Sequence, residues 1–159
     1  MLYATTVIQD SGNVSMTAEE IKSNILYGDI EGFLDSIILS GESSHFPKQN
    51  VSVVASMLSS RFSVEVTPQS IYVVGSAKTG YALFKKKLKD QRILPAFRQF
   101  GADSDIDLAI VSPFLFELIW DELSMHANRK NKMPWDSGKL GDYMVHGWLR
   151  PDLFPRGKS

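Results

Sequence analysis

The chain contains no cysteine, which excludes disulfides and any thiolate metal site. With no staple available, its 159 residues, 43% of them apolar, must hold together by burying a core, and a chain of this length can do so. No apolar run approaches the ~20 residues that cross a bilayer, so no membrane partner is expected. Residues 1–10 lack both a basic start and a long apolar stretch, which argues against a secretory signal. Together with the missing cysteine, this points to a cytoplasmic protein. Histidine is scarce. His45, His126 and His146 are scattered and offer no spaced pair of metal ligands, so they read as surface or hydrogen-bonded histidines. Internal repeats and low-complexity tracts are also missing, which excludes a solenoid.

What is present is a charge asymmetry hidden by a net charge of -1. Residues 1–70 carry eight acids and three bases. Residues 78–98 then carry Lys78, Lys85, Lys86, Lys87, Lys89, Arg92 and Arg98 against Asp90 alone. A local positive field of this kind suits phosphates or nucleic acid; the alternative is a solvated basic loop.

The pattern of apolar residues predicts an α/β (α+β) domain over residues 1–159. A mainly helical part occupies 1–69, a core 70–149 and a tail 150–159. Thr17-Ala18-Glu19-Glu20 reads as a capping box opening a helix. Ile30, Phe33, Leu34, Ile37 and Ile38 form an apolar stripe on a second helix. A third runs from about Gln49 to Arg61, with Val51, Val54, Ala55 and Leu58 inside. Ile71-Tyr72-Val73-Val74 reads as a short buried strand ended by Gly75-Ser76. A helix starting near residue 77 is weakened by Gly80, and Lys85 to Ala102 reads as a basic, mostly irregular insertion. Asp105 to Val111 is a second strand. Ser112-Pro113 opens a helix with serine as N-cap, whose inner face is Leu115, Leu118, Ile119 and Leu123. Asn128 to Asp142 reads as loop, and Tyr143 to Leu149 as a weak third strand. Trp120 falls on a helix as a core residue, whereas Trp135, beside Pro134, is the tryptophan better placed to stack on a base. After Pro155 the chain has no closing element, as a fragment of a longer protein would show.

Two short motifs carry the chemistry. On a strand, Asp105 and Asp107 share a face about 6.5–7 Å apart, while Ile106, Leu108 and Ile110 face a core. Paired carboxylates repel unless a cation joins them, and Mg²⁺ or Mn²⁺ is the natural partner, taking one or two carboxylates and filling its shell with phosphate oxygens and water. Gly75-Ser76 follows a buried strand, where glycine lets backbone approach a ligand and the serine hydroxyl adds a donor for phosphate. A metal site beside a phosphate cradle is the layout that phosphoryl or nucleotidyl transfer needs.

Apolar strand, Gly75-Ser76, connecting segment, then Ser104-Asp105-Ile106-Asp107-Leu108 resembles the signature of the nucleotidyltransferase superfamily. The string Val73-Val74-Gly75-Ser76-Ala77-Lys78-Thr79-Gly80-Tyr81 is similar to a bacterial branch of stand-alone domains with a helical N-terminal part. The resemblance covers residues 70–125. It implies a small mixed β-sheet packed by helices, with Gly75 and Ser76 on the triphosphate of an incoming nucleotide and Asp105 and Asp107 on the metal. It also implies a third carboxylate on a later strand that helps activate the attacking hydroxyl. Asp142, at the mouth of the expected third strand, is the candidate, ahead of Asp136 and Asp152 in loops.

The expected activity is Mg²⁺- or Mn²⁺-dependent transfer of a nucleoside monophosphate from a nucleoside triphosphate to an acceptor hydroxyl. Lys78 neutralises phosphate charge, and segment 85–98 meets a nucleic acid or protein acceptor. The alternative is a catalytically silent module that binds nucleotide or a partner in a toxin–antitoxin or phage-defence system.

Overall fold

The computed structural model describes residues 16–40, 42, 43, 45–129 and 135–155. Among them helices and small antiparallel ladders make an α+β fold. The chain divides into two compact units between Val111 and Ser112, whereas the sequence suggested one domain whose helical part ended at 69. Residue 69 falls inside the first unit because the 3₁₀ turn Pro68–Ser70 packs on the preceding helix and leads directly into a strand.

The first unit opens with α1, Ala18–Tyr27. Its capping box is complete: the Thr17 hydroxyl accepts from the Glu20 amide at 3.2 Å, and the Glu20 carboxylate accepts from the Thr17 amide at 2.8 Å. This pairing holds the Glu20 carboxyl below its usual range, chiefly through the Thr17 backbone hydrogen bond. Ile21 is fully buried on α1. Next, α2, Ile30–Phe33, widens into a π-type helix over Leu34–Leu39. Of the expected stripe, Phe33 is buried and Ile37 and Ile38 are half-buried, while Ile30 and Leu34 are exposed. The third helix, α3, Lys48–Phe62, buries Val51 and Ala55, with Val54 and Leu58 half-buried. The Ser59 hydroxyl then ties α3 to its exit, accepting from the Val66 amide at 2.9 Å.

From there β1, Ile71–Val74, pairs antiparallel with β6, Asp107–Ile110. Between them run α4, Ser76–Thr79, then β2, Tyr81–Ala82, β3, Lys86–Lys87, β4, Ile93–Leu94, and β5, Arg98–Gln99. The expected mixed sheet is therefore replaced, among the described residues, by two-stranded antiparallel ladders. Because β6 has only β1 beside it, its expected core face is partly open: Leu108 is half-buried, but Ile106 and Ile110 are exposed.

Residues 81–99, which take in most of the stretch from Lys85 to Ala102 expected to be irregular, form one ribbon. Tyr81 pairs with Gln99, Ala82 with Arg98, Lys86 with Leu94 and Lys87 with Ile93, all in one constant register. Pairing lapses around Pro95, which has no N–H to offer a ladder. The tip is a three-residue loop closed by the Leu88 amide on the Arg92 carbonyl at 2.9 Å. Its turn carries Gln91 at φ 69°, the left-handed position that such loops require. Alternation of charged residues hides this ribbon in the sequence, since neither face is apolar.

The second unit contains α5, Pro113–Ala127, and α6, Ser137–Met144. As expected, the Ser112 hydroxyl caps α5 by accepting from the Leu115 amide at 3.2 Å, and Leu115 and Leu123 are buried. Leu118 and Trp120 are exposed instead of inner. The weak strand expected over 143–149 does not form, and the loop expected up to Asp142 is helical from Ser137. Asp136 supplies the missed signal: its carboxylate accepts from the Lys139 amide at 3.0 Å as an N-cap, and Leu140 is buried one turn later. Pro134 lies outside the described residues.

Candidate functional site

The pairing of β1 with β6 sets Val74 opposite Asp107, which brings the two motifs together. Gly75 follows at φ 64°, ψ -150°, at the edge of a region populated almost only by glycine. A Cβ built there would lie 3.0 Å from the Asp107 carboxylate oxygen Oδ2 and 3.7 Å from its Cβ. Backbone conformation favours glycine here, and an added Cβ would also make the Asp107 carboxylate shift by a few tenths of an ångström. The chain then turns at once into α4, whose Lys78 amide bonds the Gly75 carbonyl at 3.1 Å. Gly80, at φ 78°, stops the helix after one turn, which is why residues 77–84 do not continue as a longer one.

This turn is braced from behind by residues that sequence reasoning passed over. The buried Ser43 hydroxyl donates to the Ala77 carbonyl at 2.6 Å and accepts from the His45 and Phe46 amides at 3.2 and 3.1 Å. The His45 ring stacks on Phe100 at 4.3 Å, and the Phe100 amide bonds the Gly80 carbonyl at 2.8 Å. Nothing in the spacing of Ser43 or His45 marks them, because their partners are backbone atoms and a ring far along the chain.

Asp107 is the first residue of β6, and Asp105 precedes the strand. Both are exposed. Neither carboxylate is held by an ion pair or a hydrogen bond among the described residues, in contrast to Asp90, which pairs with Arg92. Ser104, just ahead, closes its own turn by accepting from the Gly101 amide at 3.1 Å. Exposed, uncommitted oxygens beside a glycine cradle fit a hard divalent cation, which takes carboxylate oxygens and water. Among the described residues no group of three or more His, Asp or Glu side chains gathers in metal reach.

The remaining expected residues are placed elsewhere. Lys78 lines a cavity of about 380 Å³ with Glu42, Lys48 and Tyr72, and that cavity includes neither Gly75 nor either aspartate. Burial holds the Lys78 ammonium below its usual pKa, with Glu42 pulling the other way, and Glu42 itself pairs with Lys48. Asp142 sits exposed on α6 of the second unit, on a helix where the end of a loop leading into a strand had been expected. Asp136 is occupied as the α6 cap. Asp152 is occupied by Arg150, whose Nε and Nη2 donate to its two oxygens at 3.1 and 2.7 Å; that pairing lowers the Asp152 pKa. Trp135 meets the His126 ring edge-on at 5.8 Å and is half-buried rather than open for stacking.

No protein-family model matches this chain, and searches of the curated proteins and of the solved structures found no match.

Proposed function

We propose that this chain is a metal-dependent nucleotidyltransferase. In this role Asp105 and Asp107 hold Mg²⁺ or Mn²⁺, and Gly75 and Ser76 receive the phosphates of a nucleoside triphosphate. The observation that carries the reading is the Asp107 carboxylate lying against Gly75, 3.0 Å from where a Cβ would stand. A glycine turn in a backbone conformation that other residues rarely adopt lies beside an unpaired carboxylate, and an open backbone beside a metal ligand is what a phosphate approach needs. The acceptor is a hydroxyl on a nucleic acid or a protein met by segment 85–98. Lys78 serves this scheme only if its ammonium leaves the Glu42 cavity for the phosphates.

Two measurements test it. Saturating Mg²⁺ or Mn²⁺ at about 100 Kd stabilises a native state by about 2.7 kcal/mol, and Asp105→Asn with Asp107→Asn abolishes that shift in melting temperature. An equal shift in both proteins places the metal elsewhere. Incubation with each radiolabelled nucleoside triphosphate, metal and a lysate as acceptor pool then reads transfer. Label transferred by wild type and lost in Asp107→Ala supports the enzyme. Nucleotide bound without transferred label makes the chain a binding module.

A further inference from the structure

The ribbon Tyr81–Gln99 separates a braced base from an unbraced tip. At the base, the Lys22 ammonium lies 4.9 Å over the Phe97 ring, the Phe97 amide bonds the Ala82 carbonyl at 2.6 Å, and β2 packs on α4. Beyond Pro95 most side chains stand in solvent, with Leu88 and Leu94 half-buried. Lys85, Lys86, Lys87 and Lys89 are all exposed, and none forms an ion pair among the described residues. Lys86 and Lys87 are neighbours on a strand and so point to opposite faces. The one acid of the segment, Asp90, is already neutralised by Arg92 at 2.7 Å. Next to this unpaired charge, Phe84 is 81% exposed and Ile93 is 66% exposed.

We propose that this ribbon docks single-stranded nucleic acid, with Phe84 as a stacking platform for a base and Lys85, Lys86, Lys87 and Lys89 as contacts to the phosphate backbone. Interleaved lysines and an open aromatic ring are the two elements such surfaces combine. A duplex buries its base faces and leaves Phe84 without a partner, so the ring selects the single strand. An acidic peptide satisfies the lysines but gives the ring no flat π-face to stack on. The ribbon also begins just after Gly75-Ser76 and α4 and returns just before Asp105. A strand held on it is therefore tethered to the proposed transfer site from both sides. Its use as acceptor rests on the nucleotidyl-transfer reading; its binding does not.

The test is fluorescence anisotropy of the full chain with labelled oligo-U and oligo-dT of about twenty nucleotides, enough for a site of this kind. A duplex of the same length is the third ligand. Chelator is present throughout, so metal and nucleotide play no part. Four phosphate contacts predict a log–log salt slope near -2.8, which is about a fifty-fold loss of affinity between about 50 and about 200 mM salt. Changing the four lysines to glutamine flattens the slope. Phe84→Ala weakens binding at least about fivefold and leaves the slope unchanged, which a charge-only surface would not do. Asp105→Asn with Asp107→Asn binds as wild type does, whatever its effect on transfer. A preference between oligo-U and oligo-dT assigns the strand as RNA or DNA. The proposal is overturned by any one of four results: binding that is independent of salt, full affinity in Phe84→Ala, equal affinity for the duplex, or equal competition by polyglutamate.

Discussion

Gly75 and Gln91 both carry a positive φ, 64° and 69°, one just after the end of β1 and the other at the tip of the ribbon. At Gly75 the backbone lies where only glycine rests easily and Asp107 closes the space above it. At Gln91 an ordinary side chain accepts the same sign of φ because the tip is open and nothing crowds it. The first region is determined by packing and tolerates one residue. The second is determined by a local turn and tolerates many. A site that must keep a shape is built in the first way, and a surface that must present charge in the second.

The largest effect expected from breaking this contrast is at Gly75. Gly75→Ala places a Cβ 3.0 Å from Asp107 Oδ2 in a conformation that costs about 1–3 kcal/mol. Chemical denaturation should show a loss in that range. In an Asp107→Ala background the steric part disappears and the backbone part remains, so the cost of Gly75→Ala should fall without vanishing. An unchanged cost would mean that the carboxylate does not press on the turn.

The opposite substitution sharpens the comparison. Gln91→Gly removes the strain of a left-handed side-chain residue, about 1–2 kcal/mol, and adds the unfolded-state freedom of glycine, about 0.4–1 kcal/mol. A net gain of between zero and about 1.6 kcal/mol is expected from the same denaturation measurement. A net loss would show that the glutamine side chain makes contacts that hold the tip.

The same contrast explains what could be read from the sequence. Helix starts such as Thr17 with Glu20, and Ser112 with Pro113, were legible because a cap is a local event between neighbours. Strands β1 and β6 were legible because β-branched runs bounded by turn residues have few other uses. The ribbon was not legible: with lysines on both faces it lacks the alternation that marks a half-buried strand. Helix α6 was missed because glycines at 138 and 141 and the nearby Pro134 resemble a loop, and the signal that wins, the Asp136 cap, is one residue. At the site, Gly75 and Asp107 were read together from their order in the chain, and they lie side by side. The brace through Ser43, His45 and Phe100 was out of reach, since it depends on where a distant loop comes to lie.

Lys78 belongs to the basic stretch by sequence and to the packed region by structure, so it tests where the line runs. Burial lowers its pKa below 10.5, with Glu42 opposing. An unfolded chain then holds more protons than the folded one between the lowered value and 10.5. Stability contributed by this group therefore rises as pH climbs through that window. Lys78→Gln should flatten the alkaline part of the melting profile relative to wild type. Parallel profiles would show that the ammonium is as well solvated as its neighbours in the ribbon.

The smallest expected effect lies at the ribbon. Lys85, Lys86, Lys87 and Lys89 are exposed and pair with no carboxylate among the described residues. Removing all four charges takes away no ion pair and relieves repulsion among like charges crowded on one short hairpin. Lost side-chain cover over Leu88 and Leu94, both half-buried, works in the other direction, so the two terms offset. Exposed substitutions away from special features each move stability by about 0.5 kcal/mol at most. The quadruple glutamine variant should thus unfold within about that margin of wild type. Raising salt separates the two terms, because repulsion is screened and packing is not. Wild type should gain slightly on the variant between low and moderate salt. A quadruple variant much less stable than wild type at every salt concentration would mean that the lysine stems are part of the ribbon's packing. The sharp division between a packed turn and a free ribbon would then fail.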